Sequence, residues 1–252
     1  MTASNRRRIG LIADSHGNLE ATAEAIRLLK GRGAGLIVHL GDFCDSIRRD
    51  GAAAMIALLE DHGVLAVKGN NDFLVENMLA DGRRPETPEG KRALAFLKAV
   101  PVTRAVEDIR FAHSLPFDSL RSFYTPIDTG DTRRAEQVFA EADFQILFCG
   151  HSHLPALFRE ANGRVTRETM AAGEKIALPT GRQDESTEKA VLPGGADAVP
   201  DQPGAAGKRE AAGRSGQAAT QRFIVVVGAA EDGECALYDR GAGAYERLRI
   251  FT

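Results

Sequence analysis

Four histidines, two aspartates and one asparagine carry the chemistry open to this 252-residue chain: Asp14, His16, Asp42, Asn70, His113, His151 and His153. They stand in Asp14-Ser15-His16, Gly41-Asp42, Gly69-Asn70, at His113 and in Gly150-His151-Ser152-His153. Mixed imidazole, carboxylate and amide donors suit manganese, iron, cobalt, nickel or zinc, and the lack of thiolate argues against a structural zinc site. One carboxylate can bridge two cations through its two oxygens, and Asp42 is assigned that place. Counting Asp42 twice, the seven side chains give eight ligand contacts, four for each of two divalent ions. Two dications bring +4, and two aspartates with a bridging hydroxide remove three. The residual positive charge draws a phosphate and stabilises charge that builds on it.

Such residues meet only if the chain brings them together, and the flanking sequence says how. Ile9 to Ala13, Leu36 to Leu40, Val64 to Val67, Ile109 to Ala112 and Gln145 to Cys149 read as strands, and a polar cluster follows each within a residue or two. Leu19 to Lys30, with Leu19, Ala23, Ile26 and Leu29 on one face, reads as a helix, as do Ala52 to Leu59, residues 90–98 and Thr132 to Ala142. The alternation predicts an α/β domain, in which ligands bind beyond the carboxyl ends of the strands. Asp14/His16 and His151/His153 are spaced i, i+2, which in extended chain puts both side chains on one side. Glycines before Asp42, Asn70 and His151 permit tight turns and close backbone approach. Further on, Asn162-Gly163 marks a hairpin between Leu157 to Arg159 and Arg164 to Glu168, and Arg222 to Gly228 and Cys235 to Tyr238 read as strands. Residues 184–220 hold no aromatic residue and no isoleucine and read as a disordered insertion within a single domain over 1–252.

These motifs, in this order, resemble the calcineurin-like metallophosphoesterase superfamily. The resemblance covers residues 8–170 and the closing strands from Arg222. It implies a four-layer α/β/β/α sandwich. By position it implies that Asp14, His16, Asp42 and His153 hold one metal, and that Asp42, Asn70, His113 and His151 hold the other. The length and lone domain are most similar to the small bacterial (YfcE-like) phosphodiesterases. Two positions depart from the pattern. Asn71 stands where many members carry a histidine, and the small bacterial branch often a cysteine; an amide releases no proton near neutral pH. His113 is followed by Ser114-Leu115 rather than glycine, which affects the substrate pocket.

The expected function is hydrolysis of phosphodiesters or phosphomonoesters by in-line attack of a metal-bridging hydroxide, with manganese the foremost metal. Asn70, His113 and His151 are the candidate catalytic residues, the two histidines polarising the phosphoryl oxygens. Alternatives are a nucleotide-polyphosphate hydrolase, a protein phosphatase, which Asn71 argues against, or a non-catalytic scaffold such as the fold provides in one retromer subunit. A scaffold has no need of all seven ligand positions. Other residues take structural readings. His39 packs or hydrogen-bonds within a strand, His62 suits a helix C-terminus, and Cys44 and Cys149 fill small apolar spaces. Asp72 is either an orienter of the ligands or the N-cap of the next helix. Asp45 and Asp118 are solvated.

Composition agrees with a globular enzyme: 43% hydrophobic, 27% charged and no tryptophan. A formal net charge of −3 gives no indication of nucleic-acid binding. Three cysteines without a Cys-x-x-Cys point to a reducing compartment. The basic stretch Arg6 to Arg8 has no apolar core after it, so no signal peptide is expected. No run reaches the ~20 apolar residues of a spanning helix. The expectation is a cytoplasmic protein acting on a small phosphoester or nucleotide.

Overall fold

A computed structural model describes residues 7–47, 51–84, 87–119, 121–179 and 221–251. The insertion expected at 184–220, and Arg6 of the basic stretch, lie outside the described residues. The elements run β1 (Arg8–Ile12), α1 (Leu19–Gly31), β2 (Leu36–His39), α2 (Ala52–Asp61), β3 (Leu65–Ala66), α3 (Asn70–Ala80), α4 (Pro88–Ala99), β4 (Thr103–Val106) and β5 (Ile109–Ala112). They continue with α5 (Arg121–Tyr124), α6 (Arg133–Glu141), β6 (Ile146–Cys149), β7 (Ala156–Ala161), β8 (Arg164–Thr169), β9 (Lys175–Ala177), β10 (Arg222–Val226), β11 (Glu234–Asp239) and β12 (Ala244–Arg249).

The strands form two mixed six-stranded sheets, ordered β3-β2-β1-β11-β12-β9 and β4-β5-β6-β10-β7-β8. Within the first, β1, β2 and β3 are parallel; within the second, β5, β6 and β10 are parallel. Alternation along each strand sorts the apolar residues into three layers. Ile9, Leu11, Val38, Leu40, Phe111, Phe148, Val225 and Tyr238 fill the space between the sheets. Ile12, Ile37 and Leu237 face the other way, against Ile26 and Leu29 of α1 and Met55, Ile56 and Leu59 of α2. Leu147, Cys149 and Ile224 pack under Ala135, Val138 and Phe139 of α6. Three core layers between helices, sheet, sheet and helix make the four-layer α/β/β/α sandwich. Phe148 anchors the middle layer, with ring centroids 6.0 Å from Phe111, 5.4 Å from Tyr238 and 6.0 Å from Tyr245. Truncating so buried a ring typically costs about 3–5 kcal/mol.

Sequence periodicity placed the face of α1 slightly off. Thr22, Ala25, Ile26 and Leu29 are buried with Ala21, whereas Leu19 is 37% exposed. A polar residue can join this stripe because the Thr22 hydroxyl donates to Asn18 O at 2.7 Å, which satisfies it inside the core. Four elements that periodicity did not reveal are α3, α5, β9 and β12. In α3 only Val75 is an apolar buried residue. In β12, Tyr245 enters the inter-sheet layer and Leu248 the helix layer, so both faces are buried and the alternation is hidden. The intervening Glu246 and Arg247 are paired with Arg32 and Glu234. Cys44, Cys149 and Cys235 are buried and free. No helix among the described residues is long and apolar enough to cross a membrane.

Candidate metal centre

The five polar clusters come together where the parallel strands of both sheets end. Asp14 and His16 follow β1, Asp42 follows β2, Asn70 opens α3 after β3, His113 follows β5, and His151 and His153 follow β6. Backbone bonds stitch neighbouring loops: Asp14 N–H donates to Gly41 O (3.1 Å), His16 N–H to Asp42 O (2.9 Å) and Gly150 N–H to His113 O (3.0 Å). The two sheets are joined at the site itself, where His151 N–H donates to Asp14 Oδ2 at 2.9 Å.

The i, i+2 pairs do not converge by extended chain, as the spacing had suggested. Asp14 (φ 50°), His16 (42°), Asp42 (54°), His151 (75°) and His153 (58°) all adopt left-handed backbone. Among the described non-glycine residues the only others at positive φ are Glu107 and Asn162, both in hairpin turns. Each such residue costs on the order of 1–3 kcal/mol and persists where surrounding structure imposes it, characteristically at functional sites. Two glycines admit the carboxylates of Asp42 and Asp14. A Cβ at Gly69 would lie 2.1 Å from Asp42 Oδ1, and one at Gly150 would lie 2.4 Å from Asp14 Oδ2.

Two groups of donor atoms result. In the first, His16 Nε2 and His153 Nε2 are 3.2 Å apart, and His153 Nε2 is 3.6 Å from Asp14 Oδ1. In the second, His113 Nε2 lies 3.0 Å from His151 Nδ1 and 3.1 Å from Asn70 Oδ1. Asp42 Oδ2 sits between them, 3.9 Å from His16 Nε2 and 3.6 Å from His113 Nε2. Asp14 Oδ1 is also 3.9 Å from His113 Nδ1, so Asp14, Asp42 and His113 could themselves form a metal-holding group. That nitrogen is committed elsewhere, however: the His113 Nδ1–H donates to Leu40 O at 3.0 Å, which fixes the tautomer and turns the Nε2 lone pair into the site. We therefore group His113 with Asn70 and His151, and Asp14 with His16 and His153.

The electrostatics fit cations. Asp14 and Asp42 are almost fully buried, and their ion-pair partners among the described residues are histidines. Burial, then the Asp42 charge, pushes the Asp14 carboxyl well above its ordinary range, and Asp14 Oδ1 is buried without a hydrogen bond among the described residues. Burial lowers His113, and burial together with the nearby His113 lowers His151 to about 4. Neutral His113 and His151 imidazoles beside buried carboxylates are donors that could hold a metal ion. His16 and His153, with side chains 20% and 30% exposed, open the site to solvent.

Three further residues bear on the site. Asp72, whose role the sequence left open, is not an N-cap: Gly69 is, and Asp72 lies three residues on. It accepts from the backbone N–H of Asp42 (2.8 Å), Cys44 (2.8 Å) and Gly69 (2.9 Å), which ties the loop of Asp42 to the turn before Asn70. Burial and the Asp42 charge raise its pKa. Asn71 donates to both oxygens of Asp42. Glu231, in the β10–β11 connection, was not expected; its Oε1 lies 3.4 Å from His153 Nδ1 and 3.6 Å from His16 Nε2. The signal was an acidic residue soon after another parallel strand, the pattern that found the others. His62 is the exposed C-cap of α2, Asp118 is exposed, and Asp45 caps its own turn at Ile47 N.

The chain matches the Calcineurin-like phosphoesterase superfamily domain over residues 8–179. No curated protein matches it. A solved metallophosphoesterase from Sphaerobacter thermophilus aligns with TM-score 0.64 at 18% identity, over 97% of this chain and 88% of that one, and shows the same fold. TT1561 of Thermus thermophilus aligns at TM-score 0.46 and 13% identity, over 97% of this chain and 99% of that one. YfcE, a phosphoesterase from E. coli, aligns at 0.34 and 22% identity, over 59% and 71%.

Proposed function

Because the chain belongs to the calcineurin-like phosphoesterase superfamily, we propose that it is a hydrolase of phosphoesters working with two divalent cations. Asp14, His16, Asp42 and His153 hold one cation, and Asp42, Asn70, His113 and His151 the other. The observation that carries this reading is the convergence of all seven side chains, five of them on left-handed backbone. A non-catalytic scaffold would have no use for that strain. When bound, the cations supply Lewis-acid stabilisation of the phosphoryl oxygens and an activated water, which is the usual contribution of a two-metal site.

The chain's own residues do the rest. Leu40 O keeps the His113 lone pair aimed inward. Asp72 holds the Asp42 and Asn70 loops, and Glu231 lies against the His153 ring nitrogen that faces away from Asp14. Asn70, His113 and His151 flank the reacting phosphoryl group. Asn71 offers no proton to a leaving group, which separates this chain from relatives with histidine there and argues against a protein phosphatase. The substrate is a small phosphoester or nucleotide, manganese is the foremost metal, and the expected setting is the cytoplasm.

The test loads chelator-stripped protein with manganese, zinc, iron, nickel or cobalt in turn, then screens phosphomonoesters, phosphodiesters and nucleotides. Hydrolysis should vanish on stripping and return with manganese or a similar ion. Full activity in verified metal-free protein would overturn the reading.

A further inference from the structure

His39 ends β2, three residues before Asp42, and is fully buried. Strand alternation sends it to the helix-facing side with Ile37, and its ring meets Phe43 edge-on at 5.6 Å. Its Nε2 is 2.8 Å from Ser15 Oγ, which is 2.8 Å from Thr22 Oγ1, which is 2.7 Å from Asn18 O. His39 Nδ1 is buried with no hydrogen-bond partner among the described residues.

Counting protons gives this chain of bonds a direction. Asn18 O only accepts, and it takes the single hydroxyl proton of Thr22. Thr22 Oγ1 then accepts from the Ser15 hydroxyl, and Ser15 Oγ accepts from a proton on His39 Nε2. The other tautomer would leave a buried N–H at Nδ1 with no acceptor, which is costlier than a bare lone pair there. The run ends on the N-cap of α1, so it ties β2 to the first turn of that helix.

Ser15 lies between Asp14 and His16, both in left-handed backbone. We propose that His39, protonated on Nε2, is a positioning residue: by holding Ser15 from beneath, it fixes the turn that presents Asp14 and His16 to the first cation. Resting as it does on those two being ligands, the inference predicts that breaking the bond weakens one cation site and spares the Asn70/His113/His151 side.

Two measurements test it. Nitrogen-15 NMR of histidine-labelled, metal-free full chain should show His39 neutral with its proton on Nε2, and a changed Nε2–H signal in Ser15→Ala. A proton on Nδ1 overturns the proposal. Manganese titration of the stripped protein should find two sites in the wild type. In folded Ser15→Ala one of them should weaken about 10-fold or more, the scale typical of outer partners of metal ligands. Two sites of wild-type affinity in that variant overturn this inference alone. A wild-type chain that binds no manganese overturns the ligand assignments, and this inference with them.

Discussion

Asn71 holds both oxygens of Asp42: its backbone N–H donates to Oδ1 at 2.8 Å and its side-chain amide to Oδ2 at 2.7 Å. The Ser46 hydroxyl, 2.5 Å from Asn71 Oδ1, fixes which way the amide points. Asn71 thus orients the carboxylate that lies between the two groups of donors. Asp42→Asn is expected to do the greatest damage of any single ligand change, abolishing tight manganese binding at both positions. Asn71→Ala should weaken binding by about 10- to 100-fold, as lost outer partners of ligands do. Manganese titration of stripped protein ranks the two; a milder effect in Asp42→Asn than in Asn71→Ala would contradict the bridging assignment.

On the proposed chemistry the same residue bears on the leaving group. A positioned general acid contributes about 10² to 10⁴ in rate, and an amide supplies none of it. Hydrolysis should therefore fall steeply as the leaving-group pKa rises, with aryl esters and nucleotide anhydrides favoured over alkyl phosphates. Asn71→His should flatten that slope while loosening Asp42, so faster alkyl turnover would come with weaker metal binding. The comparison is kcat/KM across aryl and alkyl esters for both proteins. A shallow slope in the unmodified enzyme would mean that another acid is present.

Gly69 is a second sensitive point. A methyl group there would meet Asp42 Oδ1 at 2.1 Å and Asp42 N at 2.4 Å, whereas one at Gly31 would meet nothing within 4 Å. Gly69→Ala should displace Asp42, lower Tm by the equivalent of about 1–3 kcal/mol and reduce manganese binding. Gly31→Ala should leave both intact or raise stability by up to about 1 kcal/mol. Calorimetry with and without manganese checks the pair, and equal behaviour of the two variants would contradict the close approach.

Beyond the ligands, Arg167 of β8 grips Asp128 with two hydrogen bonds, Nε to Oδ1 at 2.8 Å and Nη2 to Oδ2 at 2.7 Å. This fastens the long connection after His113 to the β7–β8 hairpin. Burial alone would raise the Asp128 pKa, but the Arg167 bonds and the Gly130 N–H outweigh it and hold the carboxyl below its ordinary value. With the folded pKa depressed, the stabilisation is full above the unfolded value of about 3.9 and disappears as pH falls through the folded one. Arg167→Ala should cost about 1.5–3 kcal/mol near neutrality, and Arg167→Lys should recover only part because it lacks the fork. Denaturant melts between pH 7 and pH 3 measure this; a deficit unchanged at the acid end would rule out the charged pair as its source.

The candidate donors were legible because each is a residue type at a local address, the end of a short apolar run. Hence Asp14, His16, Asp42, Asn70, His113, His151 and His153 could be picked out one by one, and the strand-helix alternation around them gave the fold class. Asn71 was readable only as a missing acid, since its hold on Asp42 spans 29 residues and depends on where α3 begins. Glu231 stood 78 residues beyond His153 in the chain, and its place soon after β10 was the one local sign of it. The sequence alone therefore determined which groups could bind cations and that strand ends would present them. Which donors stand together was decided by tertiary structure: His16 meets His153 across 137 residues because β1 and β6 end at the same edge of two facing sheets. Left-handed turns then aim the side chains; aspartate and histidine enter such backbone more readily than most residues, and the bonds between loops hold it there.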